Sequence, residues 1–149
     1  MSKYIKIPLV GFKFLGAVEA VEQVTCSADV VRALRQAWKD DIHGVESFYV
    51  VCLTRANKII NINCVSKGSR SATIADPKIV FLHAIKSQAS SIIIAHNHPS
   101  GQLTPSQEDI RVTGKMVKGG AYLDIHVHDH IIVTADDYYS FADHGTLHS

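Results

Sequence analysis

Residues 91–109 constrain the fold more than any other stretch, because an apolar run passes directly into a group of polar side chains. The run Ser91–Ala95 is short and almost wholly aliphatic, which is typical of a strand buried on both faces of a sheet. His96-Asn97-His98 follows this run, and the turn-forming sequence Pro99-Ser100-Gly101 comes next. Helical periodicity then begins, so the histidines are predicted to lie where a buried strand ends and a helix approaches.

The two histidines have the spacing of ligands to one metal ion. In an extended segment, side chains two residues apart point to the same side, so His96 and His98 can share a cation. Ser106 and Asp109 are three residues apart in the predicted helix, which places them on one face near its N-terminus. Zinc accepts imidazole nitrogen and carboxylate oxygen, and its catalytic sites keep a position for water. The pattern therefore favours a zinc site with two imidazoles and one carboxylate.

Each of these residues also has an ordinary structural explanation. An isolated His-x-His pair is more often the polar end of a strand than a metal site. Asp109 suits the positive end of a helix, and Ser106 suits a position that helps to cap it. The joint spacing, rather than any single residue, carries the metal prediction.

The remaining sequence predicts one α/β (α+β) domain, in which a single mixed sheet is flanked by helices. Strand and helix signals follow the order β-α-β-β-α-β-α-β, without a repeat or a low-complexity linker. The strands are predicted at residues 4–15, 46–54, 59–66, 91–95 and 123–134. The helices are predicted at residues 28–38 with Ser27 as N-cap, from Asp76-Pro77 to 88, from a Thr104/Gln107 capping box to Gly119-Gly120, and as a last turn at 136–141.

Composition limits the class of protein. The 149 residues suit one domain with one core, and 46% of them are hydrophobic against 19% charged, which is typical of a globular chain. Fifteen Lys and Arg balance 14 Asp and Glu, which argues against a strongly electrostatic nucleic-acid binder. Three cysteines lack CxxC spacing, and no N-terminal apolar run is long enough for a leader or a membrane span. These features predict a cytoplasmic protein with reduced thiols.

A longer pattern connects these residues to a known family. His-x-His, seven residues, Ser, two residues and Asp resembles the JAMM motif of the JAB/MPN metalloprotease superfamily. The residue sequence HNHPSG, followed by TPS and then an Asp, is similar to the RadC-like branch of that superfamily. The similarity continues in shorter segments: Glu46-Ser-Phe-Tyr, Ser66-Lys-Gly68, Asp76-Pro77, Asp129-His130 and Tyr139-Ser-Phe-Ala.

The resemblance covers about residues 25–143. It leaves residues 1–24 as an N-terminal arm or edge strand and residues 144–149 as a C-terminal tail. Longer family members carry a helix-hairpin-helix-like region before this domain, so the expectation here is a stand-alone catalytic domain. The resemblance also implies the cytidine-deaminase-like architecture of JAB/MPN proteins.

The resemblance implies a function and a role for each site residue. His96, His98 and Asp109 would bind Zn²⁺, Glu46 would hold and deprotonate the zinc-bound water, and Ser106 would stabilise the oxyanion. The implied reaction is hydrolysis of a peptide or isopeptide bond in a peptide or protein substrate. Without the resemblance, Glu46 is better explained as an exposed carboxylate at the end of a strand.

Two other functions stay open at this stage. The traditional name of the family suggests a DNA-repair or mobile-element accessory protein that binds nucleic acid, which would need a basic surface. A scaffold that binds metal without catalysis would keep the same ligands. The basic residues that could contribute to nucleic-acid binding are scattered along the chain: Lys67, Arg70, Arg111, Lys115 and Lys118. The sequence leaves the oligomeric state undecided.

A second group of histidines also alternates. His126, His128 and His130 would share one face of a regular strand, which suits either a second metal site or a polar strand face. The polar face is the more frequent outcome for such a pattern. His130 alone falls within a segment that resembles the family, and a place behind the zinc ligands would suit it.

Overall fold

The centre of the protein is a five-stranded mixed sheet. The structure is a computed structural model, and it describes Gly16, residues 20–68 and residues 75–148. The strands are β1 (Ser47–Leu53), β2 (Ile59–Lys67), β3 (Ser91–Asn97), β4 (His126–Val133) and β5 (Tyr138–Ser140). The helices are α1 (Ser27–Trp38), α2 (Pro77–Lys86) and α3 (Gln107–Tyr122), and a 3-10 helix spans Lys39–His43. The predicted mixed sheet with flanking helices is confirmed. The strand predicted for residues 4–15 lies outside the described residues.

The aliphatic strand β3 occupies the middle of the sheet, whose order is β2-β1-β3-β4-β5. It pairs antiparallel with β1 and parallel with β4, and α3 connects β3 to β4. All of its residues are buried, as the apolar run predicted. The carboxyl end of the central strand β3 therefore faces the start of α3 where the strands end. No helix in the described part of the chain is long and apolar enough to cross a membrane.

Two apolar layers cover the two faces of the sheet. On one face, α2 and α3 pack Phe81 and Met116 against side chains of β1 and β3 such as Val50 and Ile94. On the other face, α1 packs Leu34 and Trp38 against the alternate residues of the same strands. Full burial of such a side chain contributes about 1.5–3 kcal/mol. The central strands are thus apolar on both sides, and polar residues within them need specific partners.

Some element boundaries differ from the sequence predictions. The N-cap of α1 is Cys26 rather than Ser27, because the Asp29 carboxylate accepts the backbone N–H groups of Thr25 at 2.9 Å and Cys26 at 3.2 Å. The predicted last helical turn at residues 136–141 is wrong. Residues Tyr138–Ser140 form β5 instead, because β-prone aromatic residues there can pair with the otherwise open edge of β4.

Both ends of α3 also differ from the prediction. Its N-cap is Ser106, two residues after the predicted Thr104, since Ser106 and Asp109 form a reciprocal capping box. The helix continues through Gly119 and Gly120 to Tyr122. Gly120 is a point of close packing and not a stop signal, because a Cβ atom there would lie 2.3 Å from the carbonyl oxygen of Ile125.

Asn97, between the two histidines, ties β3 to the segment that precedes β1. Its side chain points to the face opposite the histidines and is fully buried. Oδ1 accepts the backbone N–H of Ser47 at 2.7 Å, and Nδ2 donates to the carbonyl oxygens of Ile42 at 3.0 Å and Val45 at 3.2 Å. These bonds hold residues 42–47, and therefore the backbone of Glu46, against the end of β3.

Replacing Gly120 with alanine tests the close approach of α3 to Ile125. We expect Gly120→Ala to lower the free energy of unfolding by about 1–3 kcal/mol, because the added methyl group overpacks the contact. At an ordinary position within a helix, replacing glycine with alanine raises the free energy of unfolding, because alanine has the higher helix propensity. At Gly120 we expect the opposite change. Chemical denaturation provides the measurement, with the exposed neighbour Lys118→Ala as control. Unchanged or increased stability of Gly120→Ala would contradict this packing.

Removing the Asn97 amide tests the connection between β3 and residues 42–47. We expect Asn97→Ala to destabilise the protein by about 1–3 kcal/mol, because the Ser47 N–H and two carbonyl groups lose their buried partner. Asn63→Ala on the edge strand β2 makes the same chemical change at a half-buried amide, so its loss should be smaller. Equal losses in the two variants, measured by denaturation, would show that Asn97 has no special bracing role.

Candidate metal centre

Four of the five predicted site residues converge at the carboxyl end of β3. The Nε2 atoms of His96 and His98 are 2.9 Å apart. The Asp109 carboxylate places Oδ1 3.1 Å from Nε2 of His96 and Oδ2 3.6 Å from Nε2 of His98. Glu46 offers a carboxylate oxygen that lies, together with donor atoms of the two histidines, in a group spanning at most 4.8 Å. The strand end, the helix start and the segment before β1 each supply part of this cluster.

The dimensions of the cluster suit a metal ion. Donor atoms that each lie about 2 Å from a tetrahedral zinc ion are about 3.3 Å from one another. The distance between the two Nε2 atoms is 2.9 Å, and those from the imidazoles to the nearer Asp109 oxygen of each are 3.1 Å (Oδ1) and 3.6 Å (Oδ2), all close to that value. Nitrogen and oxygen donors of this kind are also the ones that zinc prefers. The residues present therefore fit a divalent cation.

The hydrogen bond on the far side of His98 directs a lone pair into the cluster. Its Nδ1 lies 2.7 Å from the carbonyl oxygen of Gln102. A carbonyl oxygen can only accept, so Nδ1 carries the proton and Nε2 of the neutral ring is an acceptor. That acceptor faces the Asp109 carboxylate, which is also an acceptor. The two groups therefore attract a shared cation, which is a metal ion when one is bound and a proton on the imidazole when none is.

The electrostatics of the pair agree with this geometry. Burial opposes ionisation of Asp109, but hydrogen bonds from the protonated rings of His96 and His98 outweigh burial and lower the pKa of the carboxyl well below its usual range. The hydrogen bond with Asp109 raises the pKa of His98 above its ordinary value, although burial acts in the opposite direction. The pocket therefore stabilises an anionic carboxylate beside positive charge.

The cluster is only partly sealed from water. The His96 side chain is 2% exposed, whereas those of Asp109 and His98 are 12% and 15% exposed. Phe48 stacks on His96 with ring centroids 6.0 Å apart and forms an apolar wall. Catalytic zinc sites need access for water and substrate, while structural ones are closed. This exposure matches an accessible site.

Ser106 lies at the rim and fixes the start of α3. Its backbone N–H donates to Oδ2 of Asp109 at 2.7 Å, and its Oγ accepts the backbone N–H of Asp109 at 3.1 Å. The capping role anticipated for Ser106 is therefore real, and the capping box also orients the Asp109 carboxylate. Capping uses the hydroxyl oxygen as an acceptor, which leaves the O–H as a donor toward a bound molecule.

Three buried polar residues support the cluster: His130, which has the place behind the ligands that the sequence suggested for it, and Asn97 and Thr113, which the sequence did not single out. Asn97 holds the segment that carries Glu46, and His130 and Thr113 lie behind His96. Burial lowers the pKa of His130 well below its ordinary value. Asn97 ends the aliphatic run of β3, His130 immediately precedes the apolar run Ile131–Val133, and Thr113 follows Asp109 by four residues on the same helix face. Polar residues at such buried positions are the sequence signal that could have identified them.

A β-bulge separates His130 from His126 and His128. Ile92 pairs with Val127 and Ile93 pairs with Asp129, so His128 is the extra residue on β4. The rings of His126 and His128 contact each other with centroids 4.6 Å apart, while His130 is turned toward His96. Among the described residues, the group of His, Cys and acidic side chains close enough to hold a metal contains Glu46, His96 and His98, which Asp109 adjoins, and it includes neither His126 nor His128. The second metal site considered from the sequence therefore finds no support.

Two of the basic residues considered for nucleic-acid binding are engaged in surface ion pairs. Arg111 donates to Glu108 at 2.6 and 2.9 Å, and Lys67 lies 3.0 Å from Asp41. Their charge is thus partly balanced by neighbours. Arg70 lies outside the described residues. Nucleic-acid binding stays a prediction that rests on the traditional family name.

Comparison with known proteins relates this arrangement to a family. The sequence model of the RadC-like JAB domain matches residues 24–146. The UPF0758 protein STH371 of Symbiobacterium thermophilum is 42% identical over 104 residues, which are 70% of this chain and 44% of that protein. A UPF0758 protein of Salinibacter ruber is 41% identical over 125 residues, 84% of this chain and 53% of that protein.

A UPF0758 protein of Finegoldia magna is 48% identical over 93 residues, which cover 62% of this chain and 42% of that protein. The chain thus spans about half the length of the curated relatives it matches. The matched region contains the whole mixed sheet and every residue of the cluster. On this basis, the chain belongs to the RadC-like JAB domain family.

Proposed function

We propose that the chain is a zinc-dependent hydrolase that cleaves an amide bond, either a peptide or an isopeptide bond. The observation that carries the proposal is the convergence of Nε2 of His96, Nε2 of His98 and the Asp109 carboxylate within 3.6 Å of one another. Glu46 adds a second carboxylate beside the two imidazoles. One carboxylate can thus serve as a ligand while the other remains for proton transfer.

His96, His98 and Asp109 would hold the metal. A bound zinc ion supplies Lewis acidity, which lowers the pKa of a coordinated water toward about 7 and polarises a carbonyl group. The three side chains are prearranged, because β3 fixes His96, hydrogen bonds to the carbonyl oxygens of Val133 and Gln102 fix His98, and the α3 cap fixes the carboxylate. Prearranged donors need little reorganisation, which favours tight binding.

Glu46 is placed to act as general base and then general acid. Its carboxylate lies within 4.8 Å of the ligand nitrogens, close enough to accept a proton from a water molecule held between these groups. The same carboxyl can return that proton to the leaving amine, which must be protonated as the C–N bond breaks. The carbonyl oxygen of Glu46 accepts the N–H of Gly68 at 2.7 Å, and Asn97 anchors the residue on each side of it.

Ser106 is placed to stabilise negative charge on the substrate. When water adds to the amide carbonyl carbon, the carbonyl oxygen becomes an oxyanion that needs a hydrogen-bond donor. The Ser106 O–H lies at the exposed rim next to Asp109, and the capping box limits its movement. Removing one such donor typically costs about 10²–10³ in rate.

Zinc binding tests the ligand assignment. We expect the purified chain to bind one zinc ion, and His98→Ala to bind it at least about 100-fold more weakly, because a tetrahedral site loses one of three protein ligands. Competition with a chromophoric chelator measures the affinity. His126→Ala is the matched control, since it removes an exposed imidazole outside the cluster. A wild-type chain that binds no metal at stoichiometric zinc would refute the proposal.

Removing the base separates catalysis from metal binding. We expect Glu46→Gln to keep its zinc and to lose about 10²–10⁴ of the hydrolytic rate, which is the usual contribution of general acid–base catalysis. Cleavage can be followed by mass spectrometry on peptide and lysine-isopeptide libraries. Glu22→Gln provides the control, because that exposed carboxylate pairs with Lys58. A Glu46→Gln variant with the wild-type rate would exclude Glu46 as the base.

A further inference from the structure

Behind His96, a line of hydrogen-bonded groups runs away from the proposed metal position. Nδ1 of His96 lies 2.9 Å from Nε2 of His130, and Nδ1 of His130 lies 2.6 Å from Oγ1 of Thr113. The Thr113 hydroxyl in turn lies 2.6 Å from the backbone carbonyl oxygen of Asp109. His96 and Thr113 are each 1% exposed and His130 is 0% exposed, so protein groups rather than bulk water must satisfy these atoms.

At the Asp109 end of this line, chemistry fixes which group is the hydrogen-bond donor and which is the acceptor. A carbonyl oxygen can only accept, so the Thr113 hydroxyl donates its single proton to Asp109. The hydroxyl oxygen then accepts from His130, which places the His130 proton on Nδ1. Nε2 of His130 is therefore an acceptor and receives the Nδ1–H of His96. The remaining nitrogen of His96, Nε2, keeps its lone pair.

We propose that Thr113 and His130 are positioning residues that fix His96 in the tautomer required of a metal ligand. The inference rests on the proposed zinc site, because the Nε2 lone pair matters only if it binds a cation. The backbone carbonyl of Asp109 sets the donor and acceptor roles along the line, and the side chain of the same residue is a proposed ligand. The first turn of α3 thus supplies one ligand and sets the proton position on another.

A simple packing role for His130 makes different predictions. Its ring stacks on Phe141 with centroids 4.8 Å apart and lies 5.7 Å from the ring of Phe48. If packing were its whole role, loss of the Thr113 hydroxyl would change stability and leave the tautomer of His96 unaffected. The experiment must therefore read the proton position and the metal affinity separately from stability.

Thr113→Val removes the hydroxyl and conserves the shape of the side chain. His130 then has no acceptor for Nδ1–H, so its other tautomer becomes competitive and donates from Nε2 to His96. That exchange moves the His96 proton onto Nε2, the proposed ligand atom. We expect zinc affinity, measured by chelator competition, to fall about 10–100-fold, which is typical for loss of a partner behind a metal ligand. Thr113→Ser restores the hydroxyl and should restore most of the affinity.

Long-range ¹⁵N–¹H correlation spectra of the metal-free chain report the tautomers directly. We expect Nδ1–H on both His96 and His130 in the wild type and in Thr113→Ser, and a mixture in Thr113→Val. A wild-type spectrum with the His96 proton on Nε2, or unchanged zinc affinity in folded Thr113→Val, would overturn the inference. If the wild type bound no zinc, the proposed function would fail, and these metal-free spectra would still decide the tautomer assignment.

Discussion

The contact between the Asp109 carboxylate and two imidazoles is the interaction on which the rest of the site depends. A carboxylate that is only 12% exposed needs compensating partners, because burial of an unpaired charge costs several kcal/mol. His96 and His98 provide them on one side, and the Ser106 N–H provides another at 2.7 Å. The same carboxylate therefore starts α3 and joins that helix to the end of β3. Helix capping and the proposed metal chemistry share one residue.

Buried polar residues extend this organisation into the core. Asn97 uses both ends of its amide against the segment before β1, and His130 and Thr113 connect His96 to the backbone of Asp109. A buried polar group without a partner costs about 1–3 kcal/mol, so each of these groups accepts essentially one arrangement of its neighbours. The apolar layers stabilise the sheet, and the polar contacts define the relative positions of Glu46, the histidines and Asp109.

Local sequence signals predicted much of the fold. The aliphatic run at residues 91–95, the Asp76-Pro77 helix start and the hairpin of β1 and β2 all follow from short-range chemistry, and the structure confirms them. Several errors fall where tertiary contacts decide between similar local signals. Thr104 and Ser106 are both acceptable caps, and Ser106 is used because its capping-box partner Asp109 also contacts His96 and His98 across the site. Gly120 resembles a helix stop, yet its lack of a side chain serves the approach of Ile125.

The sequence by itself determined the candidate ligand types, their spacing and the family resemblance, because these depend on residue identity and on the periods of strand and helix. The tertiary structure alone decided which separate groups meet: Glu46 beside His96 and His98, and Asp109 across from both. It also decided that a bulge turns His130 toward His96 and leaves His126 and His128 elsewhere. Such long-range choices follow from sheet register and from satisfaction of buried polar groups, and neither is encoded in any one short segment.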